Sequence, residues 1–346
     1  MYIIDTACIS SQSTYPNQLT GDVKEVDGLK VYAQEPDYSE LIPRSLLRRM
    51  SKLACMCVAT GMPLIDRNGG VDGIIMGSSN GSMERSLRFL NQIIEYNEGT
   101  LTPTDFVQST QNSLAGSLAV MGKIRGYNAT HVNQGLSFES ALLDALMLFQ
   151  EGKAKKLLVG AGEELSEPSY NIESQRGMYK TEASTSSALL ESGTPGNLPG
   201  EGMTMFTLST EKPESATAEI CDVNLAYHLT EEELVTKIND FLSKNGMTKG
   251  DIDTVIFGRS GDSRSDRFFD TLERDLFDQQ RNIVYKHLTG DYYCASAYGV
   301  WLASHLLQET PLPKAYIRKD LKGIPKNVLL YNNYEGRQHG MILMKG

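Results

Sequence analysis

A chain of 346 residues with 40% hydrophobic and 22% charged residues carries enough apolar material for one large globular domain or two fused ones. Its formal net charge of -10, spread without an acidic tail, argues against nucleic acid or an anionic membrane as partner, while leaving room for a local basic patch facing an acidic carrier. No stretch approaches about 18 apolar residues and MYIIDTACISSQ has no signal-peptide character, so a cytoplasmic protein without a membrane span is expected.

In chain order, MYII reads as a first strand that ends near Cys8, followed by ISSQSTYPNQLTG, whose Pro16, Asn17 and Gly21 predict a loop. An activated cysteine needs a helix amino terminus directly after it, so Cys8 reads as a buried strand residue and not as a nucleophile. SKLACMCVATGM has the apolar content of a packed helix. Its Cys55 and Cys57 lack a second Cys or His pair at metal spacing, so no metal and no cofactor are expected. The five cysteines are an odd number with no disulfide framework, as in a reducing compartment.

Next, VDGIIMGSSNGSMERSLRFLNQ predicts strand, tight loop and amphipathic helix, and IDTVIFGRSGDSRSDRFFDTLER repeats that pattern from Ile252. HVNQGLSFESALLDALMLFQEG from His131 is echoed by HLTGDYYCASAYGVWLASHLLQET from His287, in the same order within each half. KKLLVGAGEE and KNVLLYNN are continuous apolar runs bounded by charge, which predict strands covered on both faces. ESGTPGNLPGEG is a Gly/Pro-rich loop, and STEKPESATAEI interrupts the strand-like MTMFTLS. The expected architecture is therefore α/β, with two similar halves, 1–210 and 211–346, forming one unit of layers in the order α-β-α-β-α. His131 and His287 precede corresponding turns and read as structural hydrogen-bonding residues. The isolated His228, His305 and His339 read as surface or packing residues. Cys294, four residues after Gly290, is expected inside a helix, away from its tip.

The segment FVQSTQNSLAGSLAVMGKIRGYNATHVNQGLSFESALLDAL resembles the stretch of the β-ketoacyl synthases, members of the thiolase-like superfamily, that leads into the nucleophile turn. Asn112, Gly116 and Gly126 fall where that pattern expects them. GAGEEL and LPGEGMTMFTLS resemble the family's GGxE and GEGAGxLxLE segments, whereas DTACISS almost spells its nucleophile motif DTACSSS but lies in the first strand, ahead of a loop and not a helix. The resemblance covers most of the chain and implies a thiolase-like fold.

It also implies which chemistry is missing. The family's ACSS(S/G)LxAL cysteine corresponds to Gln134, which cannot form a thioester. The NAHGTxTxxxD segment corresponds to IFGRSGDSRSD, which keeps Asp266 but puts Gly258 at the first histidine. KSxxGHxxGAAG corresponds to KHLTGDYYCASA, which keeps Lys286 and Gly290 but puts Asp291 at the second. A glycine donates no side-chain hydrogen bond, and an ionised aspartate repels an enolate. The closing NSFGFGGTN loop appears as NNYEGRQHG.

Two known classes with glutamine at that turn are then implied. One is the chain-length-factor subunit, a non-catalytic partner of a true ketosynthase that shapes the tunnel for chains carried on acyl carrier protein. The other is the malonyl-decarboxylating ketosynthase-like domain, which keeps its histidines. Their loss here favours the partner reading, as a heterodimer or else a homodimer. An active condensing enzyme with an unfamiliar residue set is the third reading. The resemblance further implies that Leu114, Leu118 and Met121 border the tunnel and subunit interface, with core packing as the alternative for each. On the tunnel reading, tryptophan at Leu114 or Leu118 shortens the products.

Overall fold

Continuous apolar runs in this chain fold as strands with helices on both sides, because only then does every side chain of the run leave water. The protein is described by a computed structural model that covers residues 1–214, 216–321 and 323–346. Among the described residues the strands are β1 (Tyr2–Ile9), β2 (Asp27–Gly28), β3 (Gly73–Gly77), β4 (Tyr127–His131), β5 (Lys156–Glu163), β6 (Ser184–Thr185), β7 (Gly202–Ser209), β8 (Ala218–Tyr227), β9 (Thr254–Phe257), β10 (Arg281–Val284), β11 (Ile317–Lys319), β12 (Asn327–Tyr334) and β13 (Gln338–Lys345).

The strands of the first half run side by side in the order β1-β7-β5-β3-β4, and those of the second in the order β8-β13-β12-β9-β10, with β11 added at the far edge. Numbered within each half, both orders are first, fifth, fourth, second, third. Directions repeat as well: β3 lies parallel to β4 and β5 while β7 is antiparallel to its neighbours, and β9, β10, β12 and β13 reproduce this set. A short pairing of Tyr2 and Ile3 with β8 joins the two sheets.

Helices Ser137–Gln150 and Ser296–Leu307 lie between the sheets and touch both. Every residue of the second is buried, as a helix in a central layer requires. Helices Lys52–Arg67 and Ser113–Gly122 cover the outer face of the first sheet, and Glu231–Lys244 and Ser263–Asp275 that of the second. The expected five layers of duplicated halves are thus present. Asn17, in the loop after β1, ties the halves together: its Oδ1 accepts from Thr6 Oγ1 at 2.8 Å and from Trp301 Nε1 at 2.7 Å.

Leu114 and Leu118 are fully buried between helices Ser113–Gly122 and Lys52–Arg67, while Met121 is half-buried at the margin of the same cluster. A Cβ on Gly61 would lie 2.8 Å from a Leu118 methyl, so the helices meet there at the closest approach the side chains allow. Leu118→Ala should therefore cost about 2–5 kcal/mol, measured by chemical denaturation. Leu118→Trp should overpack the site and fail to fold. A soluble, stably folded tryptophan variant would show that a tunnel, and not a packed core, lies beside Leu118.

Among the described residues, no helix is long and apolar enough to cross a membrane, and no cluster of three or more His, Cys, Asp and Glu could hold a metal ion.

Candidate functional site

The turn between β4 and helix Ser137–Gln150 has the sharp strand-to-helix form of a nucleophile elbow. Gln134 occupies its tip with φ of 46°, a left-handed conformation that costs a side-chain-bearing residue energy and persists only where the surroundings impose it. Ser137 Oγ braces the turn, donating to the Gln134 carbonyl at 2.8 Å and accepting from Asn133 N–H at 2.9 Å. The Gln134 side chain itself is exposed.

In an elbow of this kind the N–H of the residue after the nucleophile stabilises an oxyanion. Here that residue is Gly135, and its N–H already donates to Gln338 Oε1 at 2.9 Å. Gln338 is held in turn by Asn133, its Nε2 donating to the Asn133 carbonyl and side-chain oxygens at 3.3 Å. Tyr334 packs so closely on Gly135 that a Cβ there would overlap it. The loop 332–340, with its bulkier residues, thus closes the elbow from behind. Sequence reasoning noted the lost small residues but did not single out Tyr334 or Gln338; that loss was the available signal.

Gly258, Lys286 and Asp291 converge behind the elbow, linked to it through Asn332, whose Nδ2 donates to the Gly135 carbonyl at 3.4 Å. A Cβ on Gly258 would lie 2.5 Å from Asn332 Oδ1 and 3.2 Å from both Lys286 Cε and Tyr285 Oη, so no larger side chain fits. Lys286 and Asp291 are both buried and form an ion pair of 2.7 Å. Asp291 also accepts from Asn197 Nδ2 at 2.8 Å, and burial raises its carboxyl above the usual range although Lys286 opposes the shift. Lys286 is thus committed to the Asp291 carboxylate.

Beside this group lies Glu139, fully buried in the first turns of the central helix, with neither oxygen accepting a geometrically sound hydrogen bond among the described residues. Burial pushes its carboxyl up to about 7. Glu163, at the end of β5, accepts from the N–H groups of Ser79 and Asn80, and burial pushes it up to about 8. Neither acid was singled out from sequence, since a carboxylate's burial is set by tertiary packing.

Cys294 lies just ahead of helix Ser296–Leu307, near its tip and not inside it as expected. Burial and the neighbouring Glu163, 3.6 Å away, raise its thiol well above the ordinary range, which disfavours the thiolate. Cys8 is buried against Thr204 and pushed up to about 12. His131 Nε2 pairs with Asp144 at 2.8 Å, and the buried His287 bonds the Ala315 carbonyl at 2.9 Å, its pKa lowered by burial to about 4. Asp266 accepts from the N–H groups of Ser260 and Gly261 and so holds the loop after β9. Gly126 crosses Asp72 so closely that any Cβ would overlap its carbonyl.

Residues 24–237 match the model of the β-ketoacyl synthase N-terminal domain. No curated protein matches the sequence significantly. Among solved structures, the ishigamide ketosynthase/chain length factor superposes with a TM-score of 0.78 at 14% identity, covering 99% of this chain and 98% of that one. A β-ketoacyl synthase from Burkholderia phymatum STM815 gives 0.77 at 16% identity, covering 99% and 98%. The ketosynthase ApeO in complex with its chain length factor ApeC, from Xenorhabdus doucetiae, gives 0.75 at 17% identity, covering 99% and 97%. These likenesses establish a thiolase-like fold over the whole chain.

Proposed function

The chain belongs to the β-ketoacyl synthase family, and from that premise we propose that it is a catalytically degenerate member, acting as the chain-length-factor-like partner of a true ketosynthase in type II fatty acid or polyketide assembly, of aryl polyene type. One observation carries this reading: the elbow is kept, with its left-handed tip, while its chemistry is absent. Gln134 offers no thiol, Gly258 no donor and no space for one, Asp291 a carboxylate, and the Gly135 N–H is already engaged. Fold maintained without catalytic groups is what a partner subunit needs.

The surface supports assembly. β4 pairs only with β3 among the described residues, which leaves one of its edges unpaired at the margin of the sheet. Around it Val120, Tyr127, Val132 and Met147 are exposed. An unpaired strand edge among apolar side chains favours pairing with another chain. A ketosynthase subunit of the same fold is the occupant we assign, in keeping with ApeO, which is found in complex with its chain length factor. Met121, half-buried on the helix that carries Val120, is then the tunnel-side candidate, with Leu114 and Leu118 supporting it from the core.

An acidic acyl carrier protein finds its counterpart in Arg44, Arg48 and Arg49, exposed on and beside the short helix Arg44–Leu47 in a protein of net charge -10. Mixing the chain with a Cys-His-His ketosynthase and malonyl- and acyl-loaded carrier tests the reading. The expected result is no decarboxylation or condensation by the chain alone and elongation only in the mixture. Arg48→Glu with Arg49→Glu should slow that elongation about tenfold at low salt, with the difference shrinking as salt rises. Decarboxylation of malonyl-carrier by the chain alone, lost in Gln134→Ala, would replace the partner reading by the decarboxylase one.

A further inference from the structure

β4 ends the sheet with one edge unpaired, whereas the opposite margin is β11, a strand of three residues that is too short to continue a ladder. A subunit of the same fold therefore meets β4 with its own corresponding strand, about a two-fold axis. Strands related in that way run antiparallel, so the start of β4 lies against the end of the partner's strand, beside its nucleophile turn. The His131 carbonyl points inward, accepting from Ser78 N–H at 3.1 Å, and by alternation the N–H and C=O groups of Asn128 and Thr130 face the open edge.

The start of this margin is basic. Lys123 and Arg125 stand just ahead of Tyr127, both exposed, and neither side chain has a hydrogen-bond or ion-pair partner among the described residues. Their turn is fixed by its backbone: Lys123 is left-handed with φ of 55°, and Ile124 N–H returns to the Ala119 carbonyl at 2.9 Å. Asp72, which crosses the turn at Gly126, directs its carboxylate to the N–H groups of Lys155 and Lys156.

The other end offers no countercharge. Asn128 to Gln134 contains no acid. On the helix behind it Glu139 is fully buried, and Asp144 is taken by Tyr127 Oη at 3.0 Å and His131 Nε2 at 2.8 Å. Two copies of this chain paired through β4 would thus set Lys123 and Arg125 against an uncharged turn on both sides of the axis.

We propose that this margin selects a ketosynthase whose strand ahead of the nucleophile turn ends in exposed carboxylates, and that Lys123 and Arg125 are what make the assembly a heterodimer and not a homodimer. The inference rests on the partner reading and specifies the chemistry of the partner. A cation desolvated against a carboxylate favours the mixed pair, and the same cation against a neutral turn disfavours the like pair, so selectivity comes from the difference.

Sedimentation of the chain with a Cys-His-His ketosynthase that carries carboxylates at that point, and of the chain alone, tests the proposal at about 0.05 M and about 0.5 M salt. At low salt the parent should bind the ketosynthase about thirtyfold or more tightly than it binds itself, with the gap narrowing at high salt. Lys123→Glu with Arg125→Glu, folded as judged by an unchanged melting profile, should weaken the mixed complex about thirtyfold and leave self-association within about twofold of the parent. Lysine in place of the ketosynthase's acids at the end of that strand should restore binding of the reversed chain. A reversed chain that binds the ketosynthase as tightly as the parent, or a parent that pairs with itself as tightly, would overturn this inference and leave assembly through β4 standing. A parent chain that binds no ketosynthase would remove the partner reading as well.

Discussion

Introducing charge at the β4 margin, as Val120→Glu with Val132→Glu, should abolish assembly with the ketosynthase subunit, weakening it by roughly a hundredfold or more. Both side chains are largely exposed in the free chain, at 81% and 55%, so the variant should fold and melt like the parent. In the complex each glutamate would be desolvated among apolar neighbours beside a strand edge that pairs through its backbone. An unpaired buried charge there costs on the order of 1–3 kcal/mol, and two together account for the loss. Sedimentation of the mixture reads the result. A complex of undiminished affinity would move the interface away from β4 and remove the surface argument for the partner reading.

Raising the pH from about 6.5 to 8 should destabilise the fold by roughly 2–3 kcal/mol. Burial raises Glu139 and Glu164 to about 7 and Glu163 to about 8, against an ordinary 4.5. The folded chain therefore holds protons that the unfolded chain has released, and stability falls as these acids ionise in place. Asp266, raised to about 6, contributes the same sign at lower pH. His287, His305 and His339 act oppositely: lowered by burial to about 4, they make the fold gain stability as pH rises from about 4 to 6.5.

The two sets largely cancel below 6.5, and above it the carboxyls prevail. The amino terminus, lowered from 8.0 by burial, offsets a part. Urea denaturation at several pH values measures the profile. Glu163→Gln, neutral at every pH, should flatten it above pH 7. Stability that is constant or rising between 6.5 and 8.5 would mean that these carboxyls are already neutralised by groups the fold supplies.

Much of this was legible in the order of residues. The repeated strand-loop-helix patterns beginning at Val71 and Ile252, and the matched turns after His131 and His287, anticipated a strand order that recurs in both halves. Such patterns are local: apolar runs need cover on both faces, and a helix between two sheets is apolar all round, as Ser296–Leu307 is. Residue identity alone also ruled out a thioester at Gln134, because the atom required is missing.

Other properties arise only when distant segments meet. Cys294 was placed inside a helix from its spacing to Gly290, yet the turn runs longer and leaves it at the tip, where Glu163 from β5 keeps the thiol protonated. Leu114 and Leu118 have the same character in sequence as tunnel-wall residues, and the facing helix with Gly61 makes them core. The space at Gly258 is filled from β12 and by Lys286, the Gly135 N–H is taken by Gln338, and the acidity of Glu139 and Glu163 follows from burial. The sequence by itself determined the fold and that Gln134 can form no thioester, since periodicity and atom type are local. Tertiary structure decided which groups are buried and which are already engaged, because burial and electrostatics depend on neighbours the chain brings together only on folding.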